Sequence, residues 1–77
     1  MRLDAYLAAR GESYRSFGVR TDTHGDTIRR IAEGGWPQLR VADRIVEASR
    51  AEPAPDGATV TIEDLITAAR DASQDGV

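Results

Sequence analysis

The sequence predicts an all-α fold, a compact bundle of five short helices. Apolar residues recur at intervals of three and four, glycines and prolines divide the chain into helix-length segments, and strand-like alternation is limited to residues 60–62. A chain of 77 residues has room for one small domain. We place this domain at residues 1–70, with an internal loop at 51–59 and a flexible tail at 71–77.

The first two predicted helices are short and follow each other closely. Apolar residues four apart indicate a helix over residues 3–10, and Gly11 is typical of the residue that ends a helix. Ser13 is a suitable N-cap, because its hydroxyl oxygen can accept a backbone N–H of the next turn, and it predicts a second helix over 14–20. The inward-facing residues are expected to be Leu3, Tyr6, Leu7, Tyr14, Phe17 and Gly18.

The third helix is predicted at residues 24–33. Thr23 is its expected N-cap, with Asp26 in the position that closes a capping box, and Gly34-Gly35 ends it. The carboxylate of Asp26 is therefore expected to stabilise the start of the helix. The buried stripe consists of Ile28, Ile31 and Ala32.

The fourth helix has the clearest periodicity and is predicted over residues 37–49. Proline suits the first position of a helix, where its missing N–H is not needed, so Pro37 is placed there. We expect the preceding Trp36 either to cover the small core or to anchor a partner, since tryptophan is enriched in binding hot spots. The apolar face consists of Leu39, Ala42, Ile45, Val46 and Ser49.

A proline- and glycine-containing loop, expected to be mobile, leads to the fifth helix. Thr61 opens this helix with Asp64 at the capping-box position, and Val60 and Leu65 are placed to form a hydrophobic staple. Its apolar face consists of Ile62, Leu65, Ile66 and Ala69. The core shared by the helices is predicted to contain Leu7, Phe17, Ile28, Ile31, Leu39, Ile45 and Leu65.

The composition argues against several classes of function. The chain has no cysteine and a single histidine, and it lacks both a nucleophile elbow and a glycine-rich phosphate loop. We therefore expect no enzymatic activity, metal, cofactor or small-molecule substrate. No apolar run approaches the roughly 18 residues of a membrane span, and the N-terminal segment lacks the pattern of a signal peptide. A cytoplasmic bacterial protein that does not enter a membrane is the expectation.

Charge is distributed unevenly along the chain. Residues 1–50 contain nine arginines and seven acids, whereas residues 51–77 contain one arginine and six acids. A nucleic-acid-binding protein normally concentrates basic residues in a patch. The net charge of +2 in the first segment permits such a patch, while the net charge of −5 in the second would repel phosphate.

Residues 13–34 read SYRSFGVRTDTHGDTIRRIAEG. An apolar residue followed by a small one stands in the second predicted helix, and a Thr-Ile pair followed by arginine stands in the third. This pattern resembles the helix-turn-helix of the Cro/C1-type phage-repressor family, and the likeness extends over about residues 1–66. It implies a helix-turn-helix within the bundle and a role in transcription regulation. The matching positions are Phe17, Gly18, Thr27, Ile28, Arg30 and Gly34.

The chain departs from this family on the face that would read DNA. Tyr14 stands where the family has a phosphate-holding glutamine, and Asp22 stands at the glycine of the turn, where it is expected to adopt a positive φ. Gly25 has no side chain with which to read a base. Asp26 would bring a negative charge toward the phosphates, although it could accept a hydrogen bond from cytosine.

Two functions remain open, both in transcriptional control. The degenerate reading face favours an antiactivator that binds and blocks a protein transcriptional activator, of the kind encoded near quorum-sensing and mobile-element transfer genes. Its partner-binding residues are expected to be Tyr14, Val19, His24, Arg29 and Trp36. The alternative is a dimeric repressor bound to duplex operator DNA. Its DNA-binding residues are expected to be Arg15, Thr27, Arg29, Arg30, Arg40 and Arg44.

Some of these charges also have a purely structural interpretation. Arg29 and Glu33 are four residues apart on the third predicted helix, and so are Asp26 and Arg30. Such exposed pairs stabilise a helix by only about 0.3–0.5 kcal/mol each. On this interpretation the arginines belong to a solvated helix face and contact no partner.

Overall fold

Five α-helices form the part of the chain that the computed structural model describes, residues 1–74. They are α1 (Leu3–Arg10), α2 (Tyr14–Arg20), α3 (Gly25–Ala32), α4 (Leu39–Ala51) and α5 (Ile62–Gln74). No strand occurs within these 74 positions. The radius of gyration is 11.4 Å, which matches the value of about 11.5 Å expected for a compact chain of this length. The predicted all-α bundle of five helices is confirmed.

The core lies where the helices meet and includes the aromatic pair Tyr6 and Phe17. Their ring centroids are 5.8 Å apart and the planes are inclined at 65°, an edge-to-face arrangement. Both side chains are fully buried, so the short helices α1 and α2 are joined through large apolar surfaces. The buried cluster contains Leu3, Tyr6, Leu7, Phe17, Ile28, Ile31, Ala42, Ile45, Ala54, Val60 and Leu65.

Leu39 is the one predicted core residue that lies outside this cluster, and it is 83% exposed. Helix α4 begins two residues later than predicted, because Gln38 is its N-cap and Pro37 therefore precedes the helix. Leu39 becomes the first helical residue, in a turn that extends past the core. The buried face of α4 starts one turn further along, at Ala42.

The ends of α1 and α2 agree with the sequence. Gly11 ends α1 with a φ of 63°, and the Ser13 hydroxyl oxygen accepts the backbone N–H of Ser16 at 3.0 Å. The inward orientation predicted for Tyr14 is wrong, since this side chain lies at the solvent edge of the contact between α2 and α3. Burial in α2 falls instead on Phe17 and its neighbour Gly18.

The predicted capping box of α3 does not form. The N-cap is His24, which makes no side-chain capping bond, and the helix spans Gly25–Ala32, one residue less at each end than predicted. Thr23 belongs to the end of α2, because its N–H donates to the Gly18 carbonyl at 2.7 Å. With the helix start shifted by one residue, Asp26 is out of register for the box, and its side chain is 94% exposed.

The capping box of α5 forms as predicted. The N–H of Thr61 donates to the Asp64 carboxylate at 2.9 Å, and the N–H of Asp64 donates to the Thr61 hydroxyl at 3.1 Å. The staple residues on either side of the cap, Val60 and Leu65, are both buried. Helix α5 continues through Gln74, so the first four positions of the predicted flexible tail are helical, and the rest of that tail lies outside the described residues.

The loop between α4 and α5 is anchored to the bundle. Ala54 is buried, and its N–H donates to the carbonyl of Ala58 at 2.9 Å. The buried hydroxyl of Ser49, on α4, accepts the N–H of Val60 at 2.9 Å and donates to the carbonyl of Val46 at 2.9 Å. These contacts favour an ordered loop over the mobile one that its proline and glycine content predicts.

Two arginines serve the fold through a polar network that the sequence did not predict. The side chain of Glu12 is largely buried and forms ion pairs with Arg20 and, at 3.3 Å, with Arg10. Arg20 also donates to the Ala48 carbonyl of α4 at 3.0 Å, and the hydroxyl of Tyr6 donates to a carbonyl just beyond α4 at 2.6 Å. The network joins α1, α2 and α4, so these arginines are engaged within the protein.

Candidate functional site

The close contact of α2 with α3 organises the candidate site, and two glycines permit it. A Cβ atom added at Gly18 would lie 2.8 Å from the carbonyl oxygen of Thr23, and one added at Gly25 would lie 3.0 Å from the Cα of Arg15. Both distances are too short for an ordinary carbon contact. The two helix backbones therefore approach each other at positions where only glycine fits without displacement.

This packing corrects the interpretation of Gly25 drawn from the sequence. From the sequence alone, Gly25 stands at a base-reading position without a side chain to read a base. Its Cβ direction points into the backbone of Tyr14 and Arg15 on α2. A larger side chain there would meet α2 before it reached any ligand. Helix packing therefore explains the glycine at this position, and its presence does not indicate whether the protein reads DNA.

The turn between α2 and α3 contains the positive φ that the sequence predicts. Asp22 has φ of 55° and is the one non-glycine residue with positive φ among residues 1–74. The Thr21 hydroxyl donates to the Phe17 carbonyl at 2.9 Å, and the Thr23 hydroxyl donates to the Thr21 carbonyl at 3.0 Å. From α4, Arg44 donates to the Asp22 carbonyl at 3.3 Å. These bonds hold the turn between the two helices.

Four of the five expected partner-binding residues border two adjoining depressions. Tyr14, His24 and Arg29 border a groove between the N-terminal ends of α2 and α3. Val19 and His24 border a second depression beside the turn. Trp36 lies on the connection between α3 and α4, outside both depressions, and at 56% exposure it does not cover the core.

Five of the six expected DNA-binding residues lie around α3. Thr27, Arg29 and Arg30 border a groove along this helix, and Arg15 shares the groove between α2 and α3. Arg44 borders a third groove, between α3 and α4, together with Thr27 and Arg30. The sixth residue, Arg40, is exposed at the start of α4 and borders none of these three.

The groove along α3 contains equal numbers of positive and negative side chains. Arg29 and Arg30 are flanked by Asp26 toward the N-terminus and by Glu33 toward the C-terminus. Arg29 pairs with Asp26 at 3.7 Å across one helical turn. The sequence suggests ion pairs between Arg29 and Glu33 and between Asp26 and Arg30. In the described part of the chain, neither of these pairs comes within 4.0 Å. The groove therefore has no net charge.

Large apolar side chains are exposed on α2, on the α3–α4 connection and at the start of α4. Ile62, predicted on the apolar face of the fifth helix, is exposed as well, at 39%. Val19 is 76% exposed and Tyr14 36%, and Trp36 lies three residues before the exposed Leu39. The sequence missed Leu39, because its spacing matches the buried face of α4. Leu39 is the first residue of α4, whereas the buried face begins one turn later, at Ala42.

The described residues hold no cluster of three or more histidine, aspartate or glutamate side chains arranged to bind a metal ion. None of the helices within residues 1–74 has the length and apolar character of a membrane span. Comparisons with protein-family models, with curated proteins and with solved structures give no significant match.

Proposed function

We propose that this chain is a small cytoplasmic transcription-regulatory protein that binds and blocks a protein transcriptional activator, without enzymatic activity or a cofactor. It would do so on a helix-turn-helix scaffold similar to that of Cro/C1-type repressors, as an antiactivator of the quorum-sensing or mobile-element type. The observation that carries the proposal is the electroneutral face of α3 beside exposed apolar side chains.

The charge of α3 disfavours DNA. Most groups that a reading helix meets in the major groove and on the backbone are acceptors, so its exposed side chains must donate. Asp26 and Glu33 are acceptors only, and Asp26 is paired with Arg29. Duplex affinity depends on the number of phosphates neutralised by basic side chains. A face with two positive and two negative side chains gains little from this term.

The exposed apolar residues favour a protein partner. Tryptophan and tyrosine are enriched among residues that dominate binding energy, because each buries a large area with little loss of conformational freedom. Trp36 and Tyr14 are the two exposed aromatic side chains of the described chain, and Tyr14 and Val19 border two depressions that both include His24. We infer that these residues, with His24 and Arg29, contact the activator.

The alternative function is a dimeric repressor that binds operator DNA. It is supported by the packing role of Gly25, which removes one objection to DNA binding, and by the accessible side chains of Thr27, Arg30 and Arg44 around one groove. Such a repressor would use Arg15, Arg29 and Arg40 as additional phosphate or base contacts. Dimerisation would be needed to read a palindrome.

One experiment separates the two functions. The tagged protein is used to capture partners from its host, and in parallel it is titrated with duplex DNA at low and physiological salt. We expect capture of a transcriptional activator that is lost in Tyr14→Ala and Trp36→Ala but kept in Arg40→Ala, used as the matched surface control. Nanomolar, sequence-dependent duplex binding that requires Arg29 and Arg30 would establish the repressor instead.

A further inference from the structure

The groove between α3 and α4 combines two arginines with a small apolar surface at Val41. Ile31 is buried at its base and Val41 is half-buried beside it. Arg30 comes from α3 and Arg44 from α4, so the two guanidinium groups reach the groove from different helices. Thr27 and Gln38 add further hydrogen-bonding side chains. The groove can therefore hold a segment that is apolar on one side and anionic on the other.

The two arginines of this groove belong to the five that form no ion pair within residues 1–74. Neither Arg30 nor Arg44 has an acidic group within 4.0 Å in residues 1–74, whereas five other arginines of that range are paired. Arg44 uses one donor on the Asp22 carbonyl, at 3.3 Å. A guanidinium group has five N–H donors, so most of its capacity remains. This bond also limits the motion of the side chain before any ligand arrives.

Asp26 and Glu33 flank Arg30 on α3, but no acidic side chain of residues 1–74 forms an ion pair with Arg30 or Arg44. Asp22 is the one acidic residue that borders the groove, and its carboxylate is not within ion-pair distance of Arg44. None of the bordering residues comes from the acidic segment 51–77. The groove is therefore locally suited to an anion in a protein whose net charge is −3.

We propose that the partner of this protein inserts an acidic side chain between Arg30 and Arg44 and lays an adjacent apolar side chain on Val41. The occupant is an acidic amphipathic peptide segment, and the inference rests on the function proposed above, whose partner it describes chemically. Arginine binds carboxylate through charge-assisted hydrogen bonds that are stronger than neutral ones. A duplex backbone would satisfy the arginines but would leave Val41 without an apolar contact.

The test is a titration of ¹⁵N-labelled protein with a short helical peptide that carries leucines on one face and a pair of glutamates at its edge. We expect chemical-shift changes at Thr27, Arg30, Val41 and Arg44. The affinity should fall about tenfold or more when the glutamates are replaced by glutamine, and similarly in Arg30→Gln. Arg50→Gln, on the same helix as Arg44 but beyond the groove, is the matched control and should bind as wild type.

The outcomes distinguish this inference from the proposed function. Equal binding of the glutamate and glutamine peptides, or no shifts in the groove, overturns the inference. If Arg30→Gln still captures the native activator while Trp36→Ala does not, the inference is also overturned and the antiactivator function stands. Both proposals fail together if random-sequence duplex DNA binds more tightly than the peptide at physiological salt, changes the shifts of the same residues, and no activator is captured.

Discussion

The guanidinium of Arg44 donates to the carbonyl oxygen of Asp22 at 3.3 Å and so ties the turn between α2 and α3 to the middle of α4. Asp22 has a positive φ, a conformation that costs most side chains free energy. The turn therefore combines local backbone strain with a tertiary restraint. Because the candidate grooves lie on both sides of this turn, its geometry sets the relative positions of their walls.

Replacement Asp22→Gly should stabilise the protein by up to about 1 kcal/mol, since glycine adopts positive φ without a steric penalty. Chemical denaturation gives the free energy of unfolding for the comparison. Asp22→Asn is the matched control, because asparagine removes the charge and also tolerates the left-handed region. If the glycine variant unfolds more easily than both wild type and the asparagine variant, backbone strain at this position is not the governing effect.

Replacement Gly25→Ala should destabilise the protein by about 1–3 kcal/mol, because the added methyl group would press on the backbone of Arg15. Gly18→Ala should cost at least as much, since its Cβ would meet the turn at 2.8 Å. Thermal unfolding of both variants measures the effect, with Arg29→Ala as an exposed comparison on α3. Wild-type stability in Gly25→Ala would mean that the helices are less tightly packed than described.

Two residues of α4 provide a matched test of the core. Ile45 is fully buried, so Ile45→Ala should lower the free energy of unfolding by about 2–5 kcal/mol through loss of apolar contact and a residual cavity. Leu39 is 83% exposed, and Leu39→Ala should change stability by less than about 0.5 kcal/mol. Urea denaturation of both variants suffices. A large loss of unfolding free energy in Leu39→Ala would show that Leu39 packs in the core.

The sequence predicted features that depend on neighbouring residues and missed those that depend on distant ones. The Ser13 cap and the Thr61 capping box need only the next turn of the chain, and both form. Periodicity identifies the face of a helix but not where the core ends, and for that reason Leu39 was placed wrongly. Glycine is required at position 25 because the backbone of Arg15, on another helix, lies close to it. No pattern within α3 reveals this contact.

Stability should fall in acid through Asp64. Partial burial opposes its ionisation, but hydrogen bonds from the N-terminal ammonium group at 2.8 Å and from Thr61 outweigh this and hold its pKa below the ordinary value of 3.8. A carboxyl group with a depressed pKa stabilises the fold above the unfolded-state value, and the contribution is lost as pH falls through the folded-state value.

Replacement Asp64→Asn should therefore lower stability at neutral pH and flatten the decline of the melting temperature below about pH 4. Melting curves between neutral pH and the acid range measure both effects. Asp43→Asn, an exposed position on α4, is the control variant. If the melting temperature of Asp64→Asn falls in acid as much as that of the wild type, other carboxylates cause the loss of stability.

The last prediction concerns the charge of α3. Asp26 is 94% exposed and pairs with Arg29, so the carboxylate both neutralises this guanidinium and repels phosphate. Asp26→Asn should raise the affinity for random-sequence duplex DNA, because Arg29 is then free to release a counterion from the backbone. The slope of log affinity against log salt should steepen by about one. Fluorescence anisotropy over a range of salt concentrations gives both quantities, and Asp43→Asn reports the effect of net charge alone. If the two variants gain equally, α3 does not face the duplex, and the acid at position 26 has no part in the choice between DNA and a protein partner.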